Sequence, residues 1–486
     1  MGHGLTTFCA ALQVWTAGDE TQHAEVATRL LRGERLASGL PDLDGDLVDD
    51  ECVADLYGDR WLVRGVLPFV DEADCAESML IVARTASGSG SHSHSLLLWH
   101  ADAATRPLVD TTRRVLTGGL RARRVGVADF HGLPVPVDRT IGVRGTAAKT
   151  VRTASQVSRA VIPALAVATV DASLELAVRY GTERSLYGGS VLDLPQSRAL
   201  LAGAVADLLV ADAFSSVVVR ALHVAPKGCR VLTAGSRTVV MQLLSAAMQD
   251  LSVLFGSTFY ARVAPYDVFE KFLRDLAALS VPDGGGAAAF GRMLPDLPAW
   301  LDRSRDAYAV DAALFRLGEP LGPLEFERLA SHAGSGDPLG AALRDPDVLA
   351  AFAAGSPELG ALERIAGAFE ALRDELGSVS PEETGADASP AVLSLAHRLT
   401  LALAAAAFAG VCAEADAASI TADPLIREAC LRRIEDRLAG RVGPLEPHLV
   451  QRLAAFAEDR TDHGIRVTLT ARDEPAPNRA GEGDTT

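Results

Sequence analysis

A switch in hydrophobic periodicity constrains this chain more than any other feature of its 486 residues. Over residues 5–36 the apolar positions recur at helical spacing, with Asp19 and Glu20 near a helix start. Between residues 41 and 142 they fall into short β-rich runs, "DRWLVRGV", "SMLIVART", "SLLLWH" and "RRVGVADF", separated by Gly, Ser, Asp and Pro clusters. Residues 154–279 return to long amphipathic helices, and helical text continues to about residue 459. A β island inside helical text predicts an α+β fold, mainly α, in which a small antiparallel β domain precedes a helical bundle and a further C-terminal helical region. The expected segments are 1–38 (helical), 39–148 (β domain), 149–300 (bundle) and 301–470 (additional helices). Residues 471–486, rich in Pro, Gly and charge, are expected to be a disordered tail. The polar stretch 378–390 reads as a surface loop.

Composition narrows the function classes. The length suits two or three domains, and 48% hydrophobic with 22% charged residues is the make-up of an ordinary folded protein. The net charge of -17 argues against nucleic acid as a partner, because phosphate binding needs clustered cations. Cys9, Cys52, Cys75, Cys229, Cys412 and Cys430 form no CxxC pair and read as reduced, buried thiols. No basic, then apolar, leader follows Met1, and the apolar stretch 401–411 is shorter than a bilayer crossing. A cytoplasmic location without membrane contact is the expectation.

Several local signals carry little chemistry. His92, His94 and His100 lie in or beside "GSGSHSHS", which has neither a nearby Cys nor paired carboxylates, so a mobile hairpin tip is expected there and no metal site. The same glycines lack the strand, GxGxxG and helix context of a dinucleotide fold. Ser236 sits in helical text and not in a G-x-S-x-G elbow. The acidic cluster 42–51 lacks the closing glutamate of a calcium loop.

Four other segments fall into register with known motifs. In "SRAVIPALAVATVDASLELAVRYGTERSLYG", Ala168, Ala177, Tyr180, Arg184, Tyr187 and Gly188 fall in register with R-x-x-x-A-A-x-x-x-G-x-x-x-x-A-x-x-Y-x-x-x-R-x-x-F-G, with Arg159 one helical turn ahead of the motif's first arginine position. "GVLPFVDEADCAESMLIVAR" aligns without a gap to G-x-K-x-[WF]-I-[TS]-N-x-x-x-A-x-x-x-x-[VL]-x-A-R. "VPVDRTIG" matches V-P-x-x-x-x-[LI]-G, and "DVFEKFLRDLAALSVPDGG" matches E-x-x-x-R-D-x-x-x-x-x-[IT]-x-E-G-[TS]. Together these resemble the acyl-CoA dehydrogenase superfamily over roughly residues 4–298.

The resemblance implies FAD between the β domain and the bundle, with Phe69, Val70, Asp71, Arg184, Tyr187, Gln196 and Gly284 at cofactor-binding positions and Arg159 at a substrate-binding one. Phe69 takes the place of the aromatic packed on the flavin, and Asp71 stands where the family has Thr or Ser. An acidic group there would repel an anionic reduced flavin. Arg184 would reach the FAD pyrophosphate of a neighbouring subunit, which implies a homo-oligomer; its other reading is a helix C-terminal cap. Asp283, nine residues beyond Arg274, falls where many members keep the catalytic glutamate, and its other reading is a turn residue before glycines. The family's T-E-P-x-x-G-S-D motif survives only as "GLPDLDGD", with Pro41 and Asp46 kept and Gly39 and Gly45 in place of hydroxyl residues. The match begins inside the family's N-terminal helical domain, so residues 1–38 are expected to be a remnant of it. The helices beyond residue 300 are similar to the added domains of acyl-CoA oxidases and very-long-chain dehydrogenases.

The implied function is α,β-desaturation of an acyl-CoA or carrier-protein-bound acyl chain, with Asp283 as base, FAD as hydride acceptor, and an electron-transfer flavoprotein or oxygen as final acceptor. Two alternatives remain: a flavin-deficient companion subunit in a hetero-oligomer with a related chain, and an acyl-CoA oxidase-like flavoenzyme.

Overall fold

The computed structural model describes residues 2–39, 52–86, 92–261, 264–280, 285–302, 310–329, 337–353, 357–385, 387–416, 419–441 and 443–469. The chain packs as two units, 1–158 with 325–331, and 159–324 with 332–486. The acidic cluster 42–51 and the tail 471–486 lie outside the described residues.

The first unit opens with α1 (Gly2–Ala17) and α2 (Glu20–Leu31). The single helical run read from the sequence is broken between them, where the Asp19 side chain accepts from Gln22 N and the Gln22 side chain accepts from Asp19 N. This reciprocal cap satisfies two amide donors that have no partner inside the helix. Then follow β1 (Leu36–Gly39), β2 (Val53–Tyr57), β3 (Arg60–Asp71), β4 (Ser78–Arg84), β5 (His94–His100), β6 (Val109–Asp110), β7 (Val125–Pro136) and β8 (Thr140–Ile141). They form one sheet in the order β6-β7-β3-β1-β4-β5-β8, with β2 beside β3 and β4. Most pairs are antiparallel as expected, but β1 and β2 pair parallel with β4. His94 lies in strand β5 and is buried, so the expected hairpin tip ends before it.

The unbroken apolar runs of β4 and β5 have a packing cause. Met79, Ile81 and Leu97 face one core with Trp61, Trp99 and Phe130, while Leu80, Val82, Leu96 and Leu98 face another with Ala10, Val14 and Val26 of α1 and α2. A sheet covered on both faces needs apolar residues at every position of its central strands. A polar relay fixes α2 to this sheet: Ser78 Oγ is 2.7 Å from His100 Nδ1, and His100 Nε2 is 3.2 Å from Glu25 Oε1. Glu25 also pairs with Arg139 and Arg29. Burial, helped by those two guanidinium groups, pushes the His100 pKa down to about 4.

The unit boundary falls within α3 (Ala147–Glu183). The second unit continues with the hairpin β9 (Ser185–Leu186) and β10 (Gly189–Ser190), then α4 (Pro195–Val224), α5 (Cys229–Phe255), α6 (Asp267–Ser280), α7 (Gly285–Met293) and α8 (Leu297–Trp300). A short helix, α9 (Phe326–Leu329), belongs to the first unit, where Gln156 Nε2 donates to Leu329 O at 3.1 Å. Back in the second unit are α10 (Pro346–Ala351), α11 (Pro357–Gly377), α12 (Pro390–Ala413), α13 (Pro424–Leu438) and α14 (Pro447–Asp462). α4 is buried along most of its length and packs against α5, α12, α13 and α14, so the bundle and the C-terminal helices share one core.

The stretch 401–411 lies in the C-terminal half of the 24-residue helix α12, which corrects its reading as too short to span a bilayer. By length and composition, α3, α4, Pro226–Tyr260 and α12 are each long and apolar enough to cross a membrane. The apolar window of α4 is 89% buried within the protein, so core packing alone accounts for its composition. None of the six cysteines is in a disulfide; Cys9 and Cys75 are only half-buried, unlike the expectation.

On α4, Asp207 is fully buried and accepts from Arg433 and Arg437 of α13, each at 2.6 Å. Removing the carboxylate strands two guanidinium groups with little access to water. Asp207→Asn is expected to cost about 3–5 kcal/mol in chemical denaturation. His100 makes stability pH-dependent. Its folded pKa lies below the unfolded value, so the unfolded chain takes up the proton first and stability falls as pH drops from about 6.5 toward 4. His100→Gln is expected to flatten the melting temperature of the first unit across that window.

Candidate functional site

The candidate site is built on a break in the β3 ladder. Leu67 pairs with Ala128 of β7 and Val70 with Gly126, so Pro68 and Phe69 together oppose one residue. Pro68 has no N–H to give to the ladder, and a bulge is the way a sheet tolerates it. The extra residue throws Phe69 outward: its φ is 122° and its side chain is 65% exposed, while the next residue, Val70, is fully buried. A non-glycine residue in that conformation carries roughly 1–3 kcal/mol of strain and persists only where the surroundings impose it. An exposed aromatic on strained backbone is a ready surface for a planar ring.

Beyond β3 the chain turns through three carboxylates, each met by its own arginine. Asp71 accepts from Arg123 Nε at 2.7 Å and from a second nitrogen of the same guanidinium. Asp74 accepts from Arg124 Nε at 2.9 Å, and Glu72, wholly buried, lies 3.5 Å from Arg35. Burial raises the Asp71 pKa and Arg123 opposes the rise. Cys75 Sγ sits 3.1 Å from both Arg35 and the Glu72 carboxylate, and burial with that hydrogen bond pushes its thiol up to about 11. The repulsion expected from Asp71 is therefore answered within the protein: Arg123, which sequence reasoning did not single out, cancels its charge. The only sequence trace of this is the basic run Arg121, Arg123, Arg124 before β7.

Position 39 sharpens the second departure from the motif. Gly39 pairs with Val70, and a Cβ placed on it would meet Leu67 Cδ1 and Val70 Cγ2 at 3.1 Å. A hydroxyl side chain at 39 would have to push both aside. The residues thus fit a planar flavin ring through the exposed Phe69 face and a charge-neutral Asp71–Arg123 pair, while positions 39 and 71 offer no side-chain hydroxyl.

The signature helix ends as the motif predicts. α3 stops at Glu183, Arg184 N donates to Tyr180 O at 2.9 Å, and the β9–β10 hairpin closes through Tyr187 (φ 54°) and Gly188 (φ 90°). Two successive positive φ values suit a two-residue hairpin turn, the demand that Gly188 meets without strain. Arg184 and Tyr187 both project from the surface, Tyr187 with 90% exposure. Gln196, in the first turn of α4, is exposed, and Arg159 of α3 is half-buried. Tyr180 of the signature is a packing residue: its hydroxyl lies 3.0 Å from Thr258 Oγ1 and its ring meets Phe255 and Tyr266. Asp283 and Gly284 lie outside the described residues, as do Pro41, Gly45 and Asp46.

One further array has the connectivity of a hydrolase triad, namely Ser78, His100 and Glu25. Ser78 is only 4% exposed at the start of β4, so its hydroxyl cannot meet a substrate and the array serves packing. Among the described residues no group of three or more His, Cys, Asp and Glu side chains could hold a metal ion.

No protein-family model matches the chain. It is similar to the short-chain specific acyl-CoA dehydrogenase of Clostridium acetobutylicum, 26% identical over 289 residues that cover 57% of this chain and 72% of that protein. It is also similar to the Mycobacterium tuberculosis protein named "Probable acyl-CoA dehydrogenase FadE25", 23% identical over 47% of this chain, and spans 57% of that relative's length. Among solved structures, a glutaryl-coenzyme A dehydrogenase bound to glutaryl-CoA aligns with a TM-score of 0.53 at 19% identity, over 58% of this chain and 71% of that one. The FAD complex of PigA aligns at 0.52 and 15% identity, over 61% and 76%. These alignments share the helical and central-sheet fold described above. In sequence the chain resembles the acyl-CoA dehydrogenase superfamily, and it shares the fold of the solved structures named for it.

Proposed function

We propose that this chain is a flavoprotein that desaturates an acyl thioester, carried on coenzyme A or on a carrier protein, between its α and β carbons. The observation that carries the proposal is Phe69, exposed on strained backbone at the position where the resemblance sets the aromatic that packs on a flavin. Relatives named acyl-CoA dehydrogenase and a structural neighbour bound to FAD support the same reading.

Bound there, FAD would supply a hydride acceptor. The rest of the work falls to the chain. Phe69 stacks on one ring face and excludes water from it, and the Asp71–Arg123 pair keeps the adjoining floor neutral. Arg184 and Tyr187, on an exposed hairpin, are free to reach the pyrophosphate of FAD held by a second copy, which makes the working form a homo-oligomer. Asp283 would remove the α-proton as the general base.

A second reading is favoured by the absence of side-chain hydroxyls at positions 39 and 71: a companion subunit that keeps the fold and lends its hairpin to a related flavin-bearing chain. The absorbance spectrum separates the two. Purified alone, the chain is expected to be yellow; a colourless protein that becomes yellow only when co-expressed with a related dehydrogenase would support the companion reading. In the yellow protein, Asp283→Asn is expected to slow anaerobic bleaching of the flavin by acyl-CoA at least about 100-fold, the usual contribution of a general base. Unchanged bleaching would remove Asp283 from the mechanism.

A further inference from the structure

The Asp71–Arg123 pair sits two residues from Phe69 along β3, and its surroundings show that it is aimed. Arg123 follows a turn in which Leu120, a mostly buried leucine, takes a φ of 48° and accepts from Arg123 N at 2.7 Å. A leucine in the left-handed region is uncommon and strained, and here the strain sets where the next residues point. Val125 N then bonds back to Arg123 O, and Val125 pairs with Asp71 across the ladder. Backbone on both sides thus brings the guanidinium to the carboxylate, which it grips with two donors in a fork. The Asp71 side chain is 12% exposed and that of Arg123 24%, so the pair lies at the rim of the exposed Phe69 face and is only partly screened by water. Asp74 and Glu72 are paired with other arginines, so neither replaces a charge lost at 71 or 123.

Resting on the flavoprotein reading, we propose that Arg123 is a positioning residue for the flavin: it holds Asp71 as an ion pair beside Phe69 so that the ring site carries no net charge. This would be the chain's substitute for the hydroxyl it lacks at position 71. A flavin gains negative charge on reduction, so its affinity and midpoint potential respond to any charge left uncompensated near the ring. An isolated guanidinium favours the reduced form, and an isolated carboxylate disfavours it.

Two isosteric variants and their combination test this. Asp71→Asn leaves Arg123 unpaired and is expected to raise the midpoint potential of bound FAD. Arg123→Gln leaves a buried carboxylate unpaired and is expected to weaken FAD binding about tenfold or more, read as Kd by titration of the apoprotein with FAD. The double variant, with two neutral amides in place, is expected to return both the potential and the Kd to near the wild-type values. A merely structural pair would lower the melting temperature in each single variant and leave the potential of the bound flavin unmoved. That result, in a wild-type protein that holds FAD, would overturn the inference alone. A wild-type chain that binds no added FAD would overturn this inference and the flavoprotein reading together.

Discussion

Pro68 cannot donate a hydrogen bond, and the consequences of that missing donor run through the whole candidate site. The β3–β7 ladder answers with a bulge, the bulge turns Phe69 out of the sheet, and Val70 and Asp71 resume pairing one step out of phase. On either side of the break the two strands are anchored in one core, through Trp61, Val63, Leu67 and Val70 of β3 and Ala128, Phe130 and Leu133 of β7. A sheet region anchored in this way, with an irregularity at Pro68, is a sound base for a binding surface, since strain is retained only where the surroundings over-determine the backbone.

Electrostatics follow one pattern in both units. Several buried or half-buried carboxylates are met by a guanidinium from a distant stretch of chain: Asp71 by Arg123, Glu72 by Arg35, Glu25 by Arg139, and Asp207 by Arg433 and Arg437. The net charge of -17 is therefore a statement about the surface more than about these sites. Pairing of this kind adds little net stability over an apolar core of the same shape, but losing one partner is costly, so each pair ties its two segments to a single arrangement.

Much of the architecture was legible in residue patterns. The four β-rich runs correspond to β3, β4, β5 and β7, and the motif resemblance placed the end of the signature helix at Arg184 and the tight turn at Gly188, next to the observed end at Glu183. Phe69 could be placed because the motif around it has no gaps. What escaped was whatever depends on contacts between distant positions. Nothing in "RARR" announces that Arg123 meets Asp71, 52 residues earlier, and no alternation marks the bulge, because Pro68 reads simply as a strand breaker. Gly39 looked like a lost hydroxyl, while the structure shows Leu67 and Val70 packed where one would stand. The break between α1 and α2 rests on a capping box whose residues, Asp19 and Gln22, were in view but not read as a pair.

The resemblance to acyl-CoA dehydrogenases and the geometry of β3 converge on a single proposal, that this chain presents a flavin ring with an aromatic face through Phe69. Equilibrium titration of the apoprotein with FAD, comparing wild type with Phe69→Ala, tests it most directly. The account predicts saturable binding by the wild type and a Kd about tenfold weaker in the variant, the loss of one stacked aromatic contact. Equal Kd values in the two proteins, or no binding by the wild type, would contradict it.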